Sequence, residues 1–201
     1  MPQAMTMRSG DSLQQVGDDE RTPMMPHGLF GMLIFVVAEI MFFAGMISAF
    51  VIIKASSPVW PPLDQPRLPI EETALNTLAL LASGFFLILA HRAFHRGDRE
   101  SMRRPLWIAL ALGAFFVLFQ GAEWVALLGQ GLTLTSSSLG SFFYLIVGVH
   151  ALHAVAALVL LAVAATRLRH GWLTPGLFGA AETLWFFVVA VWPVLYVVVY
   201  L

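Results

Sequence analysis

The sequence predicts an all-α integral membrane protein, a bundle of five transmembrane helices with its N-terminus inside the cell and its C-terminus outside. The chain has 201 residues, of which 59% are hydrophobic and 11% are charged, whereas ordinary soluble domains are about half apolar and about a quarter charged. The apolar residues also come in five runs, each long enough to cross about 30 Å of hydrocarbon at about 1.5 Å per residue. Lipid is therefore the expected solvent for most of the chain.

We expect the membrane domain to cover residues 28–201, with spans at about 28–53, 72–94, 105–129, 139–168 and 177–201. Residues 1–27 are charged, contain several Met and Pro, and lack the apolar core of a signal peptide. They are predicted to form a mobile cytoplasmic tail. Residues 57–66 are rich in proline, which is incompatible with a helix interior, and Trp60 suits the membrane interface. This connector is predicted to be extended and to lie outside.

Basic residues indicate the orientation, because short cytoplasmic loops hold the excess of Lys and Arg. Nine of the 11 basic residues lie in the tail and in the second and fourth connectors, namely Arg8, Arg21, Arg92, Arg96, Arg99, Arg103, Arg104, Arg167 and Arg169. The first and third connectors hold only Lys54 and Arg67. The basic stretch 91–104 is therefore interpreted as a cytoplasmic topology anchor, with a patch for anionic lipid or a partner subunit as the alternative.

Composition also excludes several classes of site. The chain has no cysteine, which excludes disulfides, thiolate nucleophiles, iron–sulfur clusters and Cys-ligated copper. A net charge of -1 argues against a nucleic-acid partner, since phosphate binding needs a concentrated basic face. No phosphate-binding loop, nucleophile elbow or dinucleotide fingerprint is present in the sequence.

Ionisable residues inside the spans are the candidate site residues, because each costs about 2.5–3.5 kcal/mol to insert. Glu39 falls near the middle of the first span and is either a proton carrier or a hydrogen-bonded structural acid. Glu123 stands nearer the outer end of the third span and suits a hydrogen-bonded acid near the surface.

His150 and His153 are three residues apart and therefore share one face of the fourth span, which we expect to point toward protein. Interhelical hydrogen bonding, a metal or haem ligand, and a proton relay are all open for them, since this spacing alone is a weak ligand signal. Glu39 and His150 lie at similar depth, so we expect that they can pair.

Seven short motifs occur in order along almost all of residues 27–201. They are the stretch 31–43, Trp60-Pro-Pro62, Leu75-Asn-Thr77 with Leu81-Ala-Ser-Gly84, Gly97-Asp-Arg99, Gln120-x-x-Glu-Trp124, Gly148-x-His-x-x-His153 and Trp185-Phe-Phe-Val-Val-Ala-Val-Trp192. Through these motifs the chain resembles subunit III of the haem–copper oxidases, the group that contains cytochrome c oxidase and ubiquinol oxidase.

The resemblance implies an accessory subunit in the plasma (inner) membrane of a bacterium, bound to the oxidase catalytic subunit I and to other subunits. Haem and copper would lie in that partner, with no cofactor in this chain except bound phospholipid and no catalytic residue of its own. The family acid that matches Glu39 is an unusually reactive carboxyl, and the subunit supports proton uptake and stability of the catalytic subunit during aerobic electron transport. Glu39, Glu123, His150 and His153 are accordingly assigned to a proton-uptake or buried polar network.

The chain also departs from the family pattern. Longer relatives have seven spans, and the start near 26–28 matches their third, so the missing pair is absent or supplied by another subunit. Phe186 and Val189 occupy places where many relatives have His and Asp, and the usual acid aligns with Gly179, although Glu182 can replace it. A divergent branch is implied. The alternatives are a related accessory subunit of a nitric oxide reductase, and a stand-alone haem-binding or transport protein that uses His150 and His153.

Overall fold

The computed structural model describes residues 27–57 and 68–201, which form five long α-helices. They are α1 (His27–Ser56), α2 (Ile70–His95), α3 (Arg99–Gly129), α4 (Ser138–Arg169) and α5 (Pro175–Leu195), and a π-helical turn follows at Tyr196–Tyr200. All five helices are long and apolar enough to cross a membrane, and the described ranges contain no strand. The five-helix membrane fold is therefore confirmed. The tail up to residue 26 and the connector with Trp60 lie outside the described residues.

All five helices begin before the apolar runs that predict them. The clearest case is α3, which begins at Arg99 rather than near 105, because the Asp98 side chain accepts a hydrogen bond from the Ser101 amide at 2.9 Å. That interaction satisfies one of the amides left without a partner at a helix start. Capping, and not hydrophobicity, therefore sets where this helix begins.

Helix α5 lies against three of the others and supplies the largest buried side chains. It contacts α1, α2 and α4, while α2 and α3 form a close antiparallel pair. Trp185 and Trp192 of α5 are completely buried, together with Phe43 of α1, Phe116 of α3 and Phe143 of α4. The core is therefore built around the aromatic side chains of α5.

Helix α1 lies at the rim of the bundle. Its large apolar side chains Phe30, Ile34, Val37 and Met41 are all more than half exposed. Among the described residues, α1 contacts chiefly α5 and, less extensively, α4. Its outer face is thus available to lipid or to another protein.

Candidate functional site

Glu39 and His153 form the buried contact between α1 and α4. The Oε2 atom of Glu39 lies 3.2 Å from Nε2 of His153, and both side chains are less than a fifth exposed. This is an ion-pair distance, although the two groups lack the alignment of a hydrogen bond. The aromatic rings of Phe35, Phe43 and Phe187 surround the His153 imidazole, with ring centroids 5.6–6.0 Å away.

The other nitrogen of His153 determines the chemistry of this pair. Nδ1 lies 2.8 Å from the backbone carbonyl of Val149, which can only accept, so Nδ1 carries a proton. Nε2 is then left to face the carboxyl group. The nitrogen of His153 that can accept a proton and the Glu39 carboxyl group therefore face each other across 3.2 Å.

His150 does not take part in this pair. Its side chain is 1% exposed, and neither ring nitrogen has a hydrogen-bond partner among residues 27–57 and 68–201. The ring packs against Trp192 and Phe43, at centroid distances of 5.1 and 6.3 Å. The expected pairing of Glu39 with His150 is thus wrong, because similar depth along two helices does not specify which way each side chain is rotated.

Glu123 belongs to a separate polar cluster between α2 and α3. Gln120 Nε2 donates to Glu123 Oε2 at 2.7 Å, and Thr73 Oγ1 lies 3.2 and 3.3 Å from the two carboxyl oxygens. Asn76 donates to the Phe116 carbonyl at 3.2 Å and to Gln120 at 3.5 Å. The acid is only 7% exposed, so the side chains of the cluster enclose it.

The partners of Glu123 were not predicted from the sequence. Gln120 stands three residues before Glu123, which places the two on one helix face, and this spacing was a signal for their contact. Thr73, Asn76 and Tyr200 come from distant parts of the chain, and Tyr200 reaches the cluster by accepting a bond from Gln120 at 3.2 Å. For these three the sequence carries no comparable local signal.

A second acid–imidazole contact links α2 to α5. His91 Nδ1 lies 2.9 Å from Glu182 Oε2, and the ring of His95 is 4.3 Å from that of His91. Glu182 entered the sequence analysis only as a possible replacement for a family acid. Val189, at the place of the family Asp, packs where a side chain on Gly84 would lie. At position 189, an apolar contact with Gly84 therefore takes the place of the polar side chain found in many relatives.

No set of three or more His, Asp or Glu residues that could hold a metal ion occurs within the part of the chain that the structure describes. The candidate site residues instead fall into separate places. Glu39 and His153 form one pair, Glu123 belongs to a second cluster, and His150 packs among aromatic rings. What this arrangement can do is bind helices together and hold protons on buried acids and imidazoles.

Fold and site together define a multi-pass membrane protein whose helices are joined internally by acids, amides and imidazoles. The sequence matches the family model of cytochrome c oxidase subunit III over residues 14–201. Proteins called cytochrome c oxidase subunit 3 are similar to it: those of Felis catus and Hippopotamus amphibius are 36% identical and that of Oryctolagus cuniculus 35%, over 189 residues. These alignments cover 89% of this chain and 71% of each relative.

The chain therefore belongs to the cytochrome c oxidase subunit III family. It is an accessory subunit of a haem–copper oxidase and works in a complex with other oxidase subunits. This outcome confirms the resemblance drawn from the seven motifs.

Proposed function

We propose that this chain is a non-redox subunit in a bacterial plasma membrane, bound to the catalytic subunit I that carries the haems and copper. There it supports proton uptake and stability of the catalytic subunit during aerobic electron transport. The observation that carries the proposal is the buried Glu39–His153 pair, with its 3.2 Å separation.

The pair is suited to hold and pass on a proton. The Val149 carbonyl keeps Nδ1 protonated and leaves Nε2 beside the carboxyl group. Three aromatic rings pack around the imidazole, which leaves its side chain 12% exposed and that of Glu39 17% exposed. The pair is therefore largely enclosed, and a proton can reach it through the small exposed part. Glu39 lies on the rim helix α1, where a partner subunit has access to the neighbouring surface.

The surroundings of the two histidines of α4 support a role without a bound metal or haem. Both ring nitrogens of His153 already face Val149 and Glu39. Those of His150 have no hydrogen-bond partner among the described residues, and the ring lines a cavity of about 140 Å³ beside Trp192. A metal ion there would need further side-chain ligands, and no group of three or more His, Asp or Glu residues that could supply them occurs in the described ranges. If the purified chain, separated from its complex, retained stoichiometric haem or copper, this part of the proposal would fail.

The test of the proton role uses the purified oxidase complex with Glu39→Gln or His153→Gln. Gln keeps the size and hydrogen-bonding capacity of Glu39, so the complex should assemble. Proton uptake at high turnover should slow by about 2- to 30-fold, the range that a coupling of about 0.5–2 kcal/mol produces. Oxygen consumption, proton uptake and the working lifetime of the complex are measured together.

Two further variants separate proton transfer from packing. Glu123→Gln alters a buried acid in the other cluster and should leave proton uptake unchanged. Glu39→Ala should slow uptake and also lower the unfolding temperature, because it removes packing atoms. If Glu39→Gln and His153→Gln both retain wild-type turnover and lifetime, Glu39 is a structural residue and the proton role is wrong.

A further inference from the structure

Two grooves lie on either side of Arg104, at the end of the bundle where α2 passes into α3. The first has a volume of about 360 Å³ and is lined by Phe86, Leu89, Arg92, Arg96, Arg104 and Ile108, among others. The second has a volume of about 620 Å³ and is lined by Glu100, Arg103, Arg104, Trp107, Ile108 and Arg169. The two grooves adjoin each other at Arg104 and Ile108, which line both, and we term them together the arginine groove.

Most of the positive charge in the arginine groove is not neutralised by the protein. Arg103 bonds Glu100 at 3.1 Å, and Arg96 acts electrostatically on Asp98. The side chains of Arg92, Arg104 and Arg169 have neither an ion pair nor a hydrogen bond to any residue of the described ranges. Three guanidinium groups are therefore available to an anion, and guanidinium is the side-chain group that best matches phosphate.

The arginine groove continues into an apolar floor. On α2, Arg92, Leu89 and Phe86 follow one another at intervals of three residues, so they lie on one face, about 4.5 Å apart along the axis. On α3, Ile108 lies one turn beyond Arg104, in the same direction toward the middle of the span. Ile108 is 40% exposed. The groove therefore has a cationic mouth and an apolar floor that leads into the membrane.

We propose that the arginine groove binds a phospholipid of net negative charge, with its phosphate on Arg92 and Arg104 and an acyl chain along Leu89, Phe86 and Ile108. Basic pockets between membrane helices are suited to anionic headgroups. A free phosphate ion would leave the apolar floor uncovered. An acidic segment of a soluble protein would not enter the hydrocarbon.

The proposed lipid site requires only that the helices span a membrane. It does not depend on whether Glu39 acts in proton uptake. Neither Glu39 nor His153 lines the groove. Failure of one proposal therefore leaves the other standing.

The experiment places a photocrosslinking benzoylphenylalanine at position 108 of the chain in the assembled complex. The complex is reconstituted in bilayers of equal phosphatidylglycerol and phosphatidylcholine with the same acyl chains, and the crosslinked lipid is identified by mass spectrometry. We expect phosphatidylglycerol to exceed phosphatidylcholine on the order of tenfold, as arginines near a membrane surface would produce. The same crosslinker at Leu118, which is 74% exposed on α3, should capture both lipids equally.

Charge variants then assign the preference to particular residues. Arg92→Gln combined with Arg104→Gln should bring the ratio at position 108 close to one. Arg99→Gln is the matched control, because Arg99 bonds the Leu173 carbonyl at 3.3 Å and does not line the groove; it should keep the preference.

Three results would overturn the lipid site. The first is an equal ratio of the two lipids at position 108 in the unaltered chain. The second is a crosslink at that position to a protein segment in place of lipid. The third is loss of the phosphatidylglycerol crosslink on addition of glycerol phosphate or inorganic phosphate at millimolar concentration, which would indicate a site for the anion alone. The first measurement needs no arginine variant, so the proposal can fail even if the double variant does not assemble.

Discussion

Two buried tryptophans of α5 are held by hydroxyl groups of α2. Trp192 Nε1 donates to Thr77 Oγ1 at 2.8 Å, and Trp185 Nε1 donates to Ser83 Oγ at 3.0 Å. Each hydroxyl group in turn donates a hydrogen bond to a backbone carbonyl: Thr77 to that of Thr73, and Ser83 to that of Ala109. Since hydrocarbon offers no hydrogen-bond partner, these polar atoms must be satisfied within the bundle. At the scale of residues, α5 is therefore positioned by hydrogen bonds as well as by packing.

Thr77→Val tests the contribution of one such bond. Valine keeps the shape of threonine but leaves the buried indole N–H of Trp192 without an acceptor. The free energy of unfolding should fall by about 0.5–2 kcal/mol, measured from the thermal unfolding of the purified complex. The control is Thr166→Val, because Thr166 is exposed and its hydroxyl bonds only the Val163 carbonyl of its own helix. Equal unfolding temperatures for the two variants would show that the Trp192 bond contributes little.

Gly113→Ala tests the approach of α3 to Trp185. An added Cβ would lie 2.5 and 2.6 Å from two atoms of the indole ring, so Trp185 would have to move away from Ser83. We expect a loss of about 1–3 kcal/mol, the usual cost of overpacking a core. A Cβ at Gly121, on the same helix, meets nothing within 4 Å.

Gly121→Ala should therefore be neutral or slightly stabilising, since alanine is the better helix former. Both variants are compared by thermal unfolding and by the recovery of assembled complex. If Gly113→Ala is as stable as Gly121→Ala, the indole is not confined as the structure shows.

At the scale of elements, α2, α3 and α4 end in the same way. Gly97, Gly131 and Gly171 have φ angles of 75°, 92° and 78°, a left-handed conformation that favours glycine. In each case the amide of the next residue bonds a carbonyl in the last helical turn, at 2.9–3.1 Å. This Schellman arrangement satisfies the helix ends and reverses the chain sharply. Short connectors can therefore join long antiparallel helices.

The start of α3 gives a prediction with a defined pH dependence. Hydrogen bonds from the side chain and amide of Ser101 lower the pKa of the exposed Asp98 carboxyl. Its contribution to helix stability is therefore present above the unfolded pKa, about 3.9, and is lost as the pH falls through the lower folded pKa. The carboxylate of Asp98 should thus cap α3 throughout the neutral range.

Asp98→Ala should accelerate hydrogen exchange of the Ser101 and Met102 amides at neutral pH, because the cap is lost. Asp98→Asn retains an accepting oxygen and should remain close to the wild type in the same exchange measurement. Faster exchange throughout α3 in the Asn variant would indicate that the charge, rather than the hydrogen bond, stabilises the helix start.

Across the whole molecule, three polar contacts connect different helices. Glu39 with His153 joins α1 to α4, Glu182 with His91 joins α5 to α2, and the Glu123 cluster joins α2, α3 and the final turn. Each contact fixes the rotation of the helices that it joins, since a polar atom in hydrocarbon is costly when it loses its partner. These contacts join α1 to α4, and α2 to α3 and α5, while the packing of α5 against α1 and α4 holds the two sets together.

The orientation of this bundle remains a prediction, and the absence of cysteine makes it simple to test. Thr135→Cys, in the exposed connector after α3, should react with a membrane-impermeant maleimide on intact cells. Ser101→Cys, at the start of α3, should react only after the cells are permeabilised. The unaltered chain has no thiol and is the control for background labelling. Reversed labelling of the two variants would place the N-terminus outside.

The number of spans and the family could be predicted from the sequence, because hydrophobic length and ordered motifs are properties of a linear chain. The start of α3 was placed late because an apolar run does not reveal a cap. The polar partners Thr73, Asn76 and Tyr200 were missed because ordinary-looking polar residues become informative only when an acid is known to lie beside them.

By itself, the sequence determined that this protein crosses the membrane five times and carries a few buried acids and imidazoles, since about 20 apolar residues in a row suffice to form a span. The contact of Glu39 with His153, and the packing of His150 against Trp192, follow from the three-dimensional packing of the helices. Three residues along a helix change the direction of a side chain by about 60° and its depth by about 4.5 Å. Which of two such side chains reaches a neighbouring helix therefore depends on how the helices are rotated and packed.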